Sequence, residues 1–107
     1  MKGDHVGEFE ELILLAVASL GDAAYGVSIK ETLDRATSRD VSIGAVYAGL
    51  DRLQDKALLA SRETPGIALR GGRRRRSFAV TRHGHRALRE MRAVRERLWR
   101  SALARSR

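Results

Sequence analysis

The chain has 107 residues, enough for one small domain with a modest core, and a formal net charge of +8 at neutral pH. It contains no cysteine, which excludes disulfide frameworks and thiolate zinc sites, and its longest apolar run, Leu12 to Ala18, is too short to span a bilayer. The acidic, polar start MKGDHVGEFEE is no signal peptide, so a soluble cytoplasmic protein is expected.

The charge is divided unevenly. Residues 1–51 hold 4 Lys/Arg and 9 Asp/Glu, a balance of −5, whereas residues 52–107 hold 17 Lys/Arg and 4 Asp/Glu, a balance of +13. Such asymmetry points to one half that faces a polyanion and one that does something else. Most of the basic residues are arginine, which suits bidentate contact with phosphates and guanine edges. Codon bias in a GC-rich genome is an equally good explanation of the total, but it does not explain the clustering.

Helical spacing of Phe9, Leu12, Ile13, Ala16, Val17 and Leu20 predicts a first helix over about 8–20. Leu14 and Leu15 make it apolar nearly all round, more than one small domain needs to bury. Glu10 and Glu11 read as solvated. A second helix is predicted over about 24–36, with Asp22 as N-cap and Tyr25, Ile29, Leu33 and Ala36 on its buried face. A third runs over about 43–56 with Ser42 as N-cap and Val46, Leu50 and Leu53 facing the core. Gly44, Ala45 and Ala48 leave its outer face thin, with Tyr47 at the boundary. Close approach to another molecule explains such a face, and so does tight packing on another helix.

Two strand patterns follow, Leu58 to Glu63 and Ser77 to Thr81, joined by a loop holding the single proline, Pro65, and ending in Gly71-Gly72. Arg73, Arg74, Arg75 and Arg76 come next, with Arg70 just before the glycines. Alternation on a strand sends Arg73 and Arg75 one way and Arg74 and Arg76 the other. A last helix is predicted over about 82–104. Its residues Ala87, Met91, Val94, Leu98 and Ala102 form a seam of about two heptads that nothing later in the chain can cover. Dimerisation is the natural way to bury it.

The resulting class is mainly α with a small β-hairpin. Three helices, a basic hairpin and a final helix make a winged helix-turn-helix, residues 1–81, followed by a C-terminal dimerisation helix, residues 82–107. In such motifs the later helix of the pair enters the major groove while the earlier one crosses the backbone. The stretches GEFEELILLAVASL, AAYGVSIKETL, VSIGAVYAGLDRLQDKALL and GGRRRRSFAVTRHGHRAL, in this order and spacing, resemble the PadR family of bacterial transcriptional regulators over about residues 7–99.

The resemblance implies a homodimeric repressor, with the Gly44 to Leu53 stretch as recognition helix and the Gly-Arg-rich hairpin as wing. The chain resembles the short branch, which lacks a separate C-terminal dimerisation domain. The expected DNA-binding residues are Tyr25, Lys30, Ser42, Tyr47, Arg52, Arg70 and Arg73 to Arg76. Tyr47 resembles a family tyrosine whose hydroxyl reaches the DNA backbone, and Tyr25 and Lys30 lie on a helix whose start abuts a phosphate. For Arg52, a salt bridge to Asp51 or Asp55 is the competing assignment. The expected dimer interface comprises Leu12, Leu15, Leu88, Met91, Val94, Leu98 and Ala102. Trp99 reads as dimer packing, and the resemblance adds an effector pocket for flat, apolar molecules flanked by Met91 and Trp99. The expected partners are double-stranded DNA, a second copy and a small aromatic or apolar effector. An alternative is a helical dimer that binds an acidic protein. No cofactor, metal or catalytic grouping is expected; His83 and His85 read as exposed helix-start residues.

One departure from the family pattern is Ala57, where a glycine would suit a left-handed helix stop. A locally altered helix exit is expected there.

Overall fold

A computed structural model of the protein describes residues 5–64 and 75–106. The elements are α1 (Glu8–Leu20), α2 (Gly26–Thr37), α3 (Ile43–Asp55), β1 (Leu59–Thr64), β2 (Arg75–Val80) and α4 (Arg82–Arg105), with one 3-10 turn, Gly21–Ala23, between α1 and α2. All six predicted elements are present, their ends displaced by a few residues.

The core is where the three apolar stripes meet. Ile13, Leu14 and Val17 of α1, Ile29 and Leu33 of α2, and Val46, Leu50 and Leu53 of α3 are almost completely buried. Leu58, Leu59 and Phe78 close the cluster from the hairpin side. Gly49 lets α3 lie close on α1, because a Cβ built there would overlap Ile13 Cδ1. Tight helix packing is thus the work of Gly49, whereas Gly44, Ala45 and Ala48 are exposed and pack on no other helix.

α2 starts later than its pattern suggests. Asp22 does not cap it; the chain first makes the 3-10 turn, and Tyr25 takes the N-cap position. Ser28 Oγ accepts from the Tyr25 amide at 2.9 Å, which satisfies a donor at the helix entrance. The extended residues before α2 pair with the hairpin: Tyr25 bridges Ser77, and the Phe78 amide donates to Ala24 O at 2.9 Å. These contacts consume the backbone groups that an earlier helix start would have used. Ala36, assigned to the buried face, is exposed.

α3 has the predicted cap, Ser42 Oγ accepting from the Ala45 amide at 3.2 Å. At its other end Ala57 keeps the left-handed conformation, φ 63°. The Leu58 amide donates to Leu53 O and the Ala57 amide to Gln54 O, both at 2.9 Å. This is the paired hydrogen bonding of a Schellman stop, and Leu53 and Leu58 at its two ends are both buried in the core cluster. The expected altered exit is therefore wrong: the glycine-type turn is retained with alanine in it. Thr81 Oγ1 donates to Ala57 O at 2.8 Å and fastens the turn to the start of α4.

β1 and β2 pair antiparallel from Leu59↔Val80 to Thr64↔Arg75. β2 begins at Arg75, two residues before the predicted start. α4 then leaves the hairpin at Gly84, where a Cβ would run into the Leu58 carbonyl. Its N-terminal half packs on α1, and every described side chain from Arg92 onward is exposed.

Candidate nucleic-acid interface

The first two turns of α3 form a nearly featureless outer surface. Gly44, Ala45 and Ala48 are exposed, flanked by Ile43 at 39 % and Tyr47 at 41 % exposure. The core stripe on the opposite side of the helix dictates this presentation. Tyr47 leans over the entrance of α2: a Cβ on Gly26 would overlap its hydroxyl. Glycine at position 26 therefore makes room for the ring. Next to it, the Arg75 guanidinium stacks on the Tyr25 ring at 3.8 Å, a cation–π contact between β2 and the α2 entrance. Tyr25, Tyr47 and Arg75 thus converge beside the thin face.

Other expected contact residues have intramolecular partners. Lys30 Nζ bonds Asp34 at 2.6 Å and Asp40 at 2.9 Å, which raises its pKa, while Asp34 also accepts from the Val41 amide at 2.7 Å. Lys30 fastens the α2–α3 turn. Arg52 pairs neither with Asp51 nor with Asp55; its Nε donates to Glu10 Oε2 of α1 at 2.7 Å. Lys56 reaches the other oxygen of the same carboxylate at 2.7 Å. Glu10 is therefore not solvated, as its sequence position suggests, but buried between two cations. Burial pushes its pKa up, but the hydrogen bonds and charges of Lys56 and Arg52 outweigh that and hold it below 4.5.

Arg76 turns back toward α3, donating to Gln54 Oε1 and lying 3.6 Å from Asp51 and 5.2 Å from the Phe78 ring centre. Arg75 and Arg76 thus diverge, as strand alternation requires. Arg70, Arg73 and Arg74 lie outside the described residues. His83 and His85 are exposed, and no metal-ligand grouping occurs among the described residues. Sequence reasoning misses Glu10, Gln54 and Gly26. Only Glu10 leaves a signal, a carboxylate inside an apolar helix pattern, which demands a cation partner when buried.

The chain matches the model of the Transcriptional regulator PadR-like family over residues 14–90. It belongs to that family.

Solved structures agree with that assignment. A PadR-like transcription factor from Bacteroides fragilis is 25% identical, with a TM-score of 0.77 over 90% of this chain and 87% of that one. A PadR family transcriptional regulator from Eggerthella lenta is 27% identical, with a TM-score of 0.69 over 89% and 82%. A PadR-like regulator from Bacillus cereus, 21% identical with a TM-score of 0.72 over 90% and 88%, shares the fold. No curated protein sequence matches the chain. This PadR-like chain is a DNA-binding transcriptional regulator, not an enzyme.

On the far side of the PadR-like fold, α1 and α4 leave an apolar strip. Leu15, Val94, Leu98, Trp99 and Leu103 are between 46 % and 66 % exposed. Leu12, Leu88 and Met91 are half-buried against the core, and Ala102 is exposed. A groove of about 450 Å³ runs beside the strip, lined by Val6, Ala87, Met91, Val94 and Leu98 together with His5, Glu11, Glu90 and Arg95. Trp99 lines a neighbouring groove that shares Arg95 and Leu98, so Met91 and Trp99 flank two adjoining depressions. Across this surface Glu11, another carboxylate that reads as solvated in the sequence, is buried and takes both ends of the Arg95 guanidinium fork at 2.6 and 3.2 Å. Glu11 raises the Arg95 pKa, and the pair fastens α4 to α1. No helix among the described residues is long and apolar enough to cross a membrane.

Proposed function

We propose that this PadR-like chain is a homodimeric repressor that acts in the cytoplasm on double-stranded DNA and is released by a small apolar effector. The observation that carries the reading is the small-residue face on the first two turns of α3, standing beside a hairpin strand that opens with arginines. In a helix-turn-helix the second helix puts its N-terminal residues at the base edges of the major groove. Gly44, Ala45 and Ala48 let the backbone approach closely. Ser42, Tyr47, Tyr25 and Arg52 border that face, and Arg70 and Arg73 to Arg76 hold the flanking phosphates as the wing. Lys30 acts by fixing the turn between the two helices.

Residues 1–81 serve as the DNA-binding unit and residues 82–107 as the dimerisation helix. Leu15, Val94, Leu98 and Trp99 support the second copy, because a strip of large apolar side chains along two helices needs a cover. A two-fold arrangement brings the same strip of each chain together. The groove beside Met91 is within the size range of small-molecule sites, which supports the effector. Repression follows from occupancy of a promoter by the dimer.

The test is selection of duplexes from a random pool by the purified protein. A two-fold symmetric motif is expected, and a promoter carrying that motif should be silenced by the protein in a reporter assay. Absence of enrichment at low salt sinks the DNA-binding reading, and activation of the reporter sinks repression.

A further inference from the structure

We infer that this regulator reads its operator through thymine methyl groups, contacted by Ile43, Ala45 and Ala48 of α3, and not through bidentate hydrogen bonds to purines. The inference rests on the DNA-binding reading above and adds the chemistry of the bases recognised.

The major groove offers two kinds of feature: hydrogen-bonding edges and the C5-methyl of thymine. Guanine and adenine are read by side chains that present two polar atoms at once, Arg or Lys for guanine and Asn or Gln for adenine. α3 and its C-cap contain three side chains of these types, Arg52, Gln54 and Lys56, and all stand in its last turns or at that cap. Each is committed within the chain. Arg52 and Lys56 grip Glu10 at 2.7 Å. Gln54 donates to Ser61 Oγ at 2.8 Å and accepts from Arg76.

The first two turns hold two polar side chains. The Ser42 oxygen caps the Ala45 amide, which leaves its hydroxyl one proton and one lone pair, and a lone hydroxyl that can donate or accept does not single out a base. The Tyr47 hydroxyl lies over Gly26, at the helix that crosses the backbone. What this part of α3 presents to a groove is otherwise carbon: the Ile43 side chain and the methyls of Ala45 and Ala48 around Gly44.

Asp51 and Asp55 continue the line of Gly44 and Ala48 toward the C-terminal end, and both are exposed. Carboxylates at that end are repelled by phosphates, Asp51 less so because Arg76 lies 3.6 Å from it, and the N-terminal turns enter most deeply. A surface of methyl groups without paired donors gains affinity by covering other methyl groups. In the major groove only thymine supplies them.

The test uses the duplex enriched by selection. Replacing every thymine with deoxyuridine removes the methyl groups and keeps base pairing. Affinity should fall about fourfold for each contacted methyl, the effect of exposing one carbon's worth of apolar surface. Replacing purines with their 7-deaza analogues, which removes the N7 acceptor, should change affinity by less than about twofold, since no bidentate pair is broken. Ile43→Ala and Ala48→Gly, shown to be folded by thermal melting, should each reduce the thymine-over-uracil ratio. A duplex bound equally well with uracil overturns this inference and leaves the DNA-binding reading intact. So does a folded Ile43→Ala, Ala48→Gly double variant with an unchanged ratio. A pool without enrichment overturns both readings.

Discussion

Ala57 shows how a single residue can be strained while the turn around it is kept. Its φ of 63° is available to alanine only at a cost of about 1–2 kcal/mol, because Cβ crowds the following carbonyl. Two backbone hydrogen bonds, the burial of Leu53 and Leu58 and the Thr81 bond offset that cost. Ala57→Gly should therefore stabilise the fold by about 1 kcal/mol, after the greater chain entropy of unfolded glycine is deducted. Urea unfolding curves would show a higher midpoint at unchanged slope. Gly84 is the converse case. Its φ is ordinary, but the Leu58 carbonyl occupies the place of a Cβ, and backbone cannot yield as a side chain can. Gly84→Ala should cost about 2 kcal/mol or more through overpacking, measured the same way. The sequence marks Ala57 as a departure from the family pattern. It carries no mark for Gly84, because a close approach between residues 58 and 84 exists only in three dimensions.

At the scale of elements, α1 is the hub. Its adjacent carboxylates point to different helices, Glu10 to α3 and Glu11 to α4. Glu10→Gln should lower stability by about 1–2 kcal/mol, since it weakens two charge-assisted hydrogen bonds whose cationic ends are partly solvated. Because the folded-state pKa is lowered, the Glu10 contribution is complete above about 4.5 and is lost as pH falls through the lowered value. Unfolding measured at neutral pH and in acid should therefore show a smaller acid loss in the variant than in the parent. Equal acid sensitivity would mean that Glu10 is not the titrating group. The helices themselves are legible from apolar spacing, and α3 is legible down to its cap. The start of α2 is not, because the Tyr25 bridge and the Phe78 amide draw the preceding residues toward the hairpin. Local propensity contains no information about that strand.

For the whole molecule, the proposed function assigns affinity for DNA to the wing arginines and specificity to α3. Changing Arg73 to Arg76 to Ala should weaken binding to every duplex alike. The slope of log affinity against log salt should flatten by about 0.9 for each phosphate that the variant no longer neutralises. Titrations at several salt concentrations check this, and an unchanged slope would remove the arginines from the interface. Leu98→Glu should shift the protein toward monomer in sedimentation, because a carboxylate on the exposed apolar strip is buried unpaired if two copies meet there. Weaker operator binding should follow, since one copy spans only half of a two-fold site.

The order of elements, the apolar faces and the arginine cluster can be read from residue types alone, because period and composition are properties of the chain. Which charged groups remain for a partner cannot. Arg52 and Lys30 look like DNA-binding cations along the chain, yet each is engaged by an acid brought near by folding or by the turn that follows its helix. A carboxylate in reach lowers the free energy of a cation by charge-assisted hydrogen bonding, and reach is set by tertiary packing. The thin face on the first turns of α3 is legible in the sequence, but that Arg52 of the same helix is drawn to Glu10 is decided only by the fold.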